Sequence, residues 1–449
     1  MIFNLLITLS NNVPVPKDIP LPLPLPEWLL VIILVVSFLL HIVFVNLMLG
    51  GSILALVSEI KGLKNKDYDH LAHEIVKTIT VNKSIAVVLG IAPLLSINVL
   101  YTVYFYSANS LTGLVWIAVI PLVTVAFLLT YLHKYTWEIL SNHKAIHISI
   151  LAIATVIFLF IPFIFLTNIN LMLFPEKWAV VKGFIDAMFL PNVFPRYAHF
   201  ILSSLAVTGL FIFWYMSRKN YPFDKIFEKF TLYDIQKKGY SLALTASVMQ
   251  FIIGPVVLLT LPSKGMGWNL IAVIFTGVIF SVPAMWMIWK GLQGEKEHIG
   301  RNFYKIALLL GITVTFMGSG RQIYRANALR KHQELVRVKT DEFQVLKKKA
   351  AEKIKEEESK VDNASKSTAE KGHDVFNQYC SSCHKTDEKL VGPPVKEMAQ
   401  IYKGNGTDLQ EWIKNPGKKR PDYPQMPSFE SQLNQEQLDQ LAEYILTIK

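Results

Sequence analysis

The chain predicts an all-α protein: a polytopic membrane bundle of about eight spanning helices, a charged helical stalk, and a small all-α domain at the C-terminus. Three observations carry that expectation. Composition is 52% hydrophobic and only 18% charged, too apolar for an ordinary soluble chain. The apolar residues gather between Trp28 and Tyr324 in runs of about 20 or more, the length that crosses the hydrocarbon core as a helix. Everything after Tyr324 is polar, and it opens with a stretch rich in Lys, Glu, Ala and Gln that contains neither Gly nor Pro.

The elements follow in order. Residues 1–27 form an N-terminal arm, with prolines from Pro14 to Pro26 that favour an extended chain. Met1 to Ser10 is apolar but short, has no basic residue ahead of it and no clear small-residue cleavage site. The arm is therefore expected to stay in the mature protein. The spans are Trp28–Val57, Ser84–Tyr106, Leu111–Leu132, Ile148–Thr167, Val193–Met216, Tyr240–Leu261, Trp268–Trp289 and Asn302–Tyr324, a membrane domain over 28–324. Leu171–Leu190, interrupted by Pro175 and charges, reads as a helix lying at the membrane interface. Residues 325–366 form the stalk or linker. Its opposite charges at i,i+4 favour one helix from Arg325 to about Lys360, roughly 50 Å long at about 1.5 Å per residue; a disordered tether is the alternative. Residues 367–449 form the last domain.

The net charge of +11 does not indicate nucleic-acid binding, because much of the excess sits in short loops between spans. Taken together, the first, third, fifth and seventh loops hold most of the loop Lys and Arg; the fifth alone holds Arg218, Lys219, Lys225, Lys229, Lys237 and Lys238. The second, fourth and sixth together hold few. By the positive-inside rule the first set is cytoplasmic. Both termini and the C-terminal domain then face outward, the periplasmic side of a bacterial inner membrane.

The two cysteines of the chain fall in one motif, Cys380-Ser-Ser-Cys383-His384, the C-x-x-C-H of covalent haem c attachment. Two thiols one turn apart reach the two vinyl groups of one porphyrin, and the histidine that follows sits beneath the iron. A zinc site would need more ligands, and no second cysteine pair exists. The surroundings resemble class I cytochromes c. Gly392-Pro393-Pro394 follows the motif where a backbone carbonyl orients the histidine ring. Tyr423-Pro-Gln-Met426-Pro427 lies 42 residues after His384, as a distal methionine loop does, and Leu438–Ile448 reads as the closing helix. The resemblance implies His384 and Met426 as axial ligands, with Met398 the competitor, and His–Met ligation favours a raised potential and electron transfer.

Histidines inside apolar spans are costly and usually functional. His41 in the first span and His199 in the fifth qualify. His133, His143 and His147 lie at the ends of the third and fourth spans and read as solvated loop histidines; His70, His73, His298 and His332 read as loop or stalk positions. A c haem on the same chain favours haem ligation for His41 and His199, because electrons need a partner within reach.

A second resemblance runs from about Trp28 to Arg325. Leu40-His41-Ile-Val-Phe-Val-Asn-Leu-Met-Leu-Gly50 resembles the first helix of cytochrome bd quinol oxidase subunit I. Arg196-Tyr-Ala-His199, followed by Val207-Thr-Gly209 and Trp214-Tyr-Met216, is similar to its fifth helix, and Gly320-Arg321-Gln322 is similar to a Gly-Arg-Gln element near its haem pair. The resemblance implies b haems, one or two, ligated by His41 and His199. It points to Met266 as a second ligand for the haem at His199, with Met317 the other candidate. Arg321 and Arg325 fall at the outer membrane surface, placed to pair with haem propionates; their plain role there is interfacial anchoring.

The chain also departs from that family. Leu111–Trp137 contains no acidic residue, and no Asp or Glu lies inside the eight spans as drawn. Met317-Gly318-Ser319 stands where the family has a glutamate haem ligand. The long quinol-binding outer loop is cut to Pro262–Gly267, and the stalk and cytochrome c domain take the place of the last helix. Oxygen reduction consumes protons that need ionisable relays, so the missing carboxylates argue against a terminal oxidase. The expected activity is that of a quinol:cytochrome c type oxidoreductase, passing electrons from a membrane quinol through haem b to the outer haem c and on to an acceptor. Three alternatives stay open: a terminal oxidase, flow in reverse from an outer donor cytochrome into quinone, and a non-catalytic relay subunit associated with other respiratory subunits.

Overall fold

The computed structural model describes residues 23–362, 367–417, 421 and 423–449. Most of the proline-rich arm and part of the linker before residue 367 lie outside the described residues. No strand occurs among the described residues. Among the described residues eight helical segments are long and apolar enough to cross a membrane, and the chain is a multi-pass membrane protein with a helical C-terminal domain. It divides into two compact units, one ending at Thr340 and the other running Asp341–Lys449.

In the first unit, helix α1 (Glu27–Gly62) begins directly after Pro26, and its 36 residues exceed the roughly 20 a membrane core requires. Helix α2 (Lys66–Leu100) is capped by the Asn65 side chain, which accepts the Asp67 N–H at 3.0 Å. The third span is made of α3 (Thr102–Ile117) and α4 (Val119–Tyr135), with Gly113 in the left-handed region at φ 50°. The fourth is α5 (Lys144–Leu171). After the five-residue α6 (Phe184–Met188), α7 (Val193–Met216) forms the fifth. The short α8 (Phe223–Ile226) precedes α9 (Leu232–Thr260), which opens on a reciprocal capping box between Thr231 and Asp234. Helix α10 (Trp268–Gln293) is the seventh span, and α11 (Phe303–Asp362) begins as the eighth and continues without interruption through the charged segment.

Glycines set the close helix crossings. A Cβ at Gly50 of α1 would overlap the Ser204 carbonyl of α7. Beside it the Ser204 hydroxyl donates to Asn46 Oδ1 at 2.9 Å. A Cβ at Gly209 of α7 would lie 2.5 Å from the Gly239 carbonyl of α9, and one at Gly239 would lie 2.6 Å from the Gly209 carbonyl. Small residues bring backbones together in this way where apolar surroundings supply no hydrophobic drive.

Leu171–Leu190 is not the interfacial helix the sequence suggested. Pro175 follows the end of α5, and the chain folds back in short turns. Leu171, Met172, Leu173, Phe174 and Trp178 pack into a core with Tyr101, Tyr104 and Tyr324. The Trp178 indole N–H donates to the Leu171 carbonyl at 3.2 Å. The first part of the run, Leu171 to Trp178, is largely buried in turns, and only the short α6 is helical; periodicity alone does not distinguish such a buried run from a helix.

The second unit holds α12 (Thr368–Tyr379), α13 (Val395–Ile401), α14 (Gly406–Lys414) and α15 (Gln435–Thr447). Capping boxes open α12 at Ser367 and α15 at Asn434. Val375, Phe376, Leu409, Ile413, Leu438, Leu441 and Ile445 build its core. The two end helices cross at Gly372, where a Cβ would overlap the Gln440 carbonyl. The obstacle is backbone, which side-chain rearrangement cannot clear. Gly372→Ala is therefore expected to destabilise this unit toward the top of the roughly 1–3 kcal/mol range of overpacking, read as a lower midpoint of thermal unfolding for the full chain followed by haem absorbance.

Candidate functional site

In the C-terminal unit the motif is wound onto the end of α12. The Cys380 N–H donates to the Phe376 carbonyl at 2.8 Å, and the Cys383 and His384 N–H groups donate to the Cys380 carbonyl at 3.0 and 2.9 Å. One turn thus presents both sulfurs and the imidazole together. The following loop returns to it, with the Gly392 N–H donating to the Cys383 carbonyl at 2.8 Å. A Cβ at Gly392 would collide with the His384 ring, so only glycine fits there. His384 Nδ1 lies 2.8 Å from the Pro393 carbonyl. A carbonyl only accepts, so Nδ1 carries the hydrogen and Nε2 is left as a bare lone pair suited to iron. Cys380 is buried; burial and the neighbouring Cys383 push its thiol up to about 11, so the free sulfur stays protonated. Met426 and Met398 both pack, half-buried, against the core that contains Cys380. Two thiols, an Nε2 lone pair and a nearby thioether are the donor set a c haem needs, and these residues fit it.

In the membrane unit His41 and His199 each face a glycine of a neighbouring helix. His41 Nδ1 lies 2.8 Å from the Ala86 carbonyl of α2, and its ring packs on Gly90. Its Nε2 is left as the bare nitrogen by the same reasoning. His199 of α7 lies beside Gly254 of α9, and among the described residues no hydrogen bond reaches its ring. Met266 follows a tight turn and packs into the core with Leu270 and Tyr324. Met317 Cε packs against Gly277 of α10.

Three arginines gather near His199. Arg196 precedes it by one turn of α7, and Arg196, Arg321 and Arg325 lie close enough to act on one another electrostatically. Arg325 donates to Gln322 Oε1 at 2.8 Å, and Gln322 donates to the Tyr101 hydroxyl at 2.7 Å. Arg321 lies over the Phe38 ring at 4.9 Å. Among the described residues, Arg196 Nη1 and Arg321 Nε are buried with no hydrogen-bond partner, and no carboxylate is among the groups acting on the three. Clustered cations with polar atoms shielded from water favour an anion, and the carboxylates of a bound group would supply that charge.

Sequence reasoning missed one constellation. Glu59, His133 and His147 are each 0% exposed and meet at the ends of α1, α4 and α5. His133 and His147 are therefore not solvated loop histidines. The reason is helix length: α1 runs to Gly62, α4 to Tyr135, and α5 starts at Lys144, so the drawn spans stopped short and left Glu59 out. A signal was present, since Ser52, Ala55 and Glu59 continue one buried stripe at i, i+3 and i+7. His70 and His73 belong to α2, and His332 is buried against Tyr104 and Trp178. His143 is exposed.

Residues 367–445 match the family described as cytochrome C oxidase, cbb3-type, subunit III. No curated protein matches the chain. Residues 367–445 are thus a cytochrome c domain with a covalent haem c and an electron-transfer role in a respiratory chain.

Proposed function

We propose that this chain is a membrane cytochrome that oxidises quinol and hands the electrons to an outer acceptor through its cytochrome c domain. In this reading His199 and His41 hold one or two b haems in the bundle, and Cys380, Cys383, His384 and Met426 hold the c haem. Each haem supplies a one-electron carrier when bound, and each quinol releases two electrons and two protons. The observation that carries the reading is the surroundings of His199: an imidazole in an apolar span whose ring has no hydrogen-bond partner among the described residues, one turn from a cluster of three arginines. A histidine in an apolar span without a partner is costly unless it binds something. The same arginines would hold the propionates.

The loop-charge asymmetry supports placing the cytochrome c domain on the outer side. Glu59 tempers the argument from missing carboxylates, because α1 does bury one. It lies at the end of the helix, and the apolar middle of each span stays free of Asp and Glu. That arrangement still favours electron transfer over oxygen reduction.

A pyridine haemochromogen spectrum of the purified chain is expected to show b and c haem together, in a ratio of one or two to one. A spectrum with c haem alone would remove His41 and His199 from the scheme. The family match favours a second reading, a relay subunit whose quinone site lies on a partner. Quinol-dependent reduction of haem c by the isolated chain separates the two, since a pure relay subunit would not show it.

A further inference from the structure

The carboxylate of Glu59 is fully buried, and three groups reach it. His133 Nε2 lies 2.8 Å from Oε2, His147 Nδ1 contacts Oε1, and Lys144 Nζ lies 3.7 Å from Oε1. Lys144 is engaged elsewhere, 2.7 Å from Asp69 and 4.4 Å over the Trp137 ring.

The tautomer of His147 poses the problem. Its Nε2 lies 2.8 Å from the His133 backbone carbonyl, which only accepts, so Nε2 carries a hydrogen. In the neutral ring Nδ1 is then a lone pair, and it points at a carboxylate oxygen. Two lone pairs at contact distance require a positive centre between them. One extra proton on His147, with His133 neutral, would serve as that centre, and so would a metal ion; the second imidazole, stacked 3.8 Å away, and the shared carboxylate favour the metal.

We propose that Glu59, His133 and His147 bind one divalent transition-metal ion of the zinc class. The donor atoms all lie within 4.8 Å of one another, and two imidazoles with a carboxylate form a donor set such ions prefer. The N–H of His147 on a backbone carbonyl is the outer contact that orients a metal-bound imidazole. Trp137 lies edge-on to both rings, at 5.4 Å from His133 and 4.9 Å from His147, which holds their planes. Three protein ligands leave a fourth position to water. Lys144 and Asp69, partly exposed above the site, mark the side from which an ion arrives. Bound there, the ion ties together the ends of α1, α4 and α5, a structural role independent of the haems.

The test uses the full chain with its haem, purified on a histidine-free tag, equilibrated with excess zinc and then desalted. Elemental analysis is expected to find about one zinc per chain, and zinc-edge X-ray absorption is expected to report two imidazoles with oxygen donors. Glu59→Gln and His147→Gln should each lose that zinc while keeping the haem c spectrum and the elution volume in detergent. A wild-type chain that retains no zinc, or variants that retain as much as wild type, would overturn the assignment. The absorption spectrum of the wild-type protein decides the matter even where a variant does not fold, because a zinc site without two imidazoles is not this one.

Discussion

Met426→Ala is expected to shift the C-terminal haem to a lower reduction potential and to abolish its methionine-to-iron charge-transfer band, whereas Met398→Ala leaves both nearly unchanged. Burial does not separate the two methionines, since both pack half-buried against the same core. Their backbones do. Met398 belongs to α13, whereas Met426 lies in a loop without regular structure between Pro424 and Pro427, with Gln425 donating to the Pro416 carbonyl at 3.4 Å. Met426 on such a loop, together with His384, would hold the iron of a bound haem. A thioether ligand raises the potential, so its loss should cost a sizeable part of the roughly 0.8 V over which axial ligands tune haem. Optical spectra and a potentiometric titration of the full chain read both effects. The reverse pattern, with Met398→Ala the damaging change, would move the ligand to α13.

His199→Ala is expected to remove a b haem, lowering the b-to-c ratio, and to bring quinol-dependent reduction of haem c down to the uncatalysed background. The covalent c haem should stay, because its ligands are local to residues 380–426. His143→Ala is the control: that histidine is exposed, and its loss should change neither the ratio nor the rate. An unaltered b-to-c ratio in His199→Ala would place the haem elsewhere. Intact reduction kinetics with a lost haem would show that the remaining centre alone carries the electrons.

What the sequence disclosed follows the range of each interaction. The spans were legible because each is a local apolar run, and the eight expected segments have helical counterparts. Their ends were not. Charge marks where a hydropathy run stops, but backbone hydrogen bonding continues for another turn or more. Glu59, Asp67 and Glu74 all lie in helix beyond the drawn boundaries. That turn is what hid the contact of Glu59 with His133 and His147, which joins residues 74 and 88 positions apart. The c-haem motif was legible for the opposite reason, since Cys380 to His384 occupy a single turn and Pro393 is only nine residues on. The second ligand in the membrane unit stays a choice between Met266 and Met317, because it depends on which helix face meets another, and that is fixed by packing across the bundle. Leu171–Leu190 misled for a related reason: an apolar run says that a segment is buried and says little about its backbone.

The glycine crossings have a consequence for electron tunnelling. At Gly50 and at the Gly209–Gly239 pair no side chain separates α1, α7 and α9, so these helices have no compressible layer between them. His41 rides on α1 and His199 on α7. Cofactors held by those two residues would sit at a separation that thermal motion barely modulates. The electronic coupling between them would then stay nearly constant, a property set by three glycines that touch no redox group.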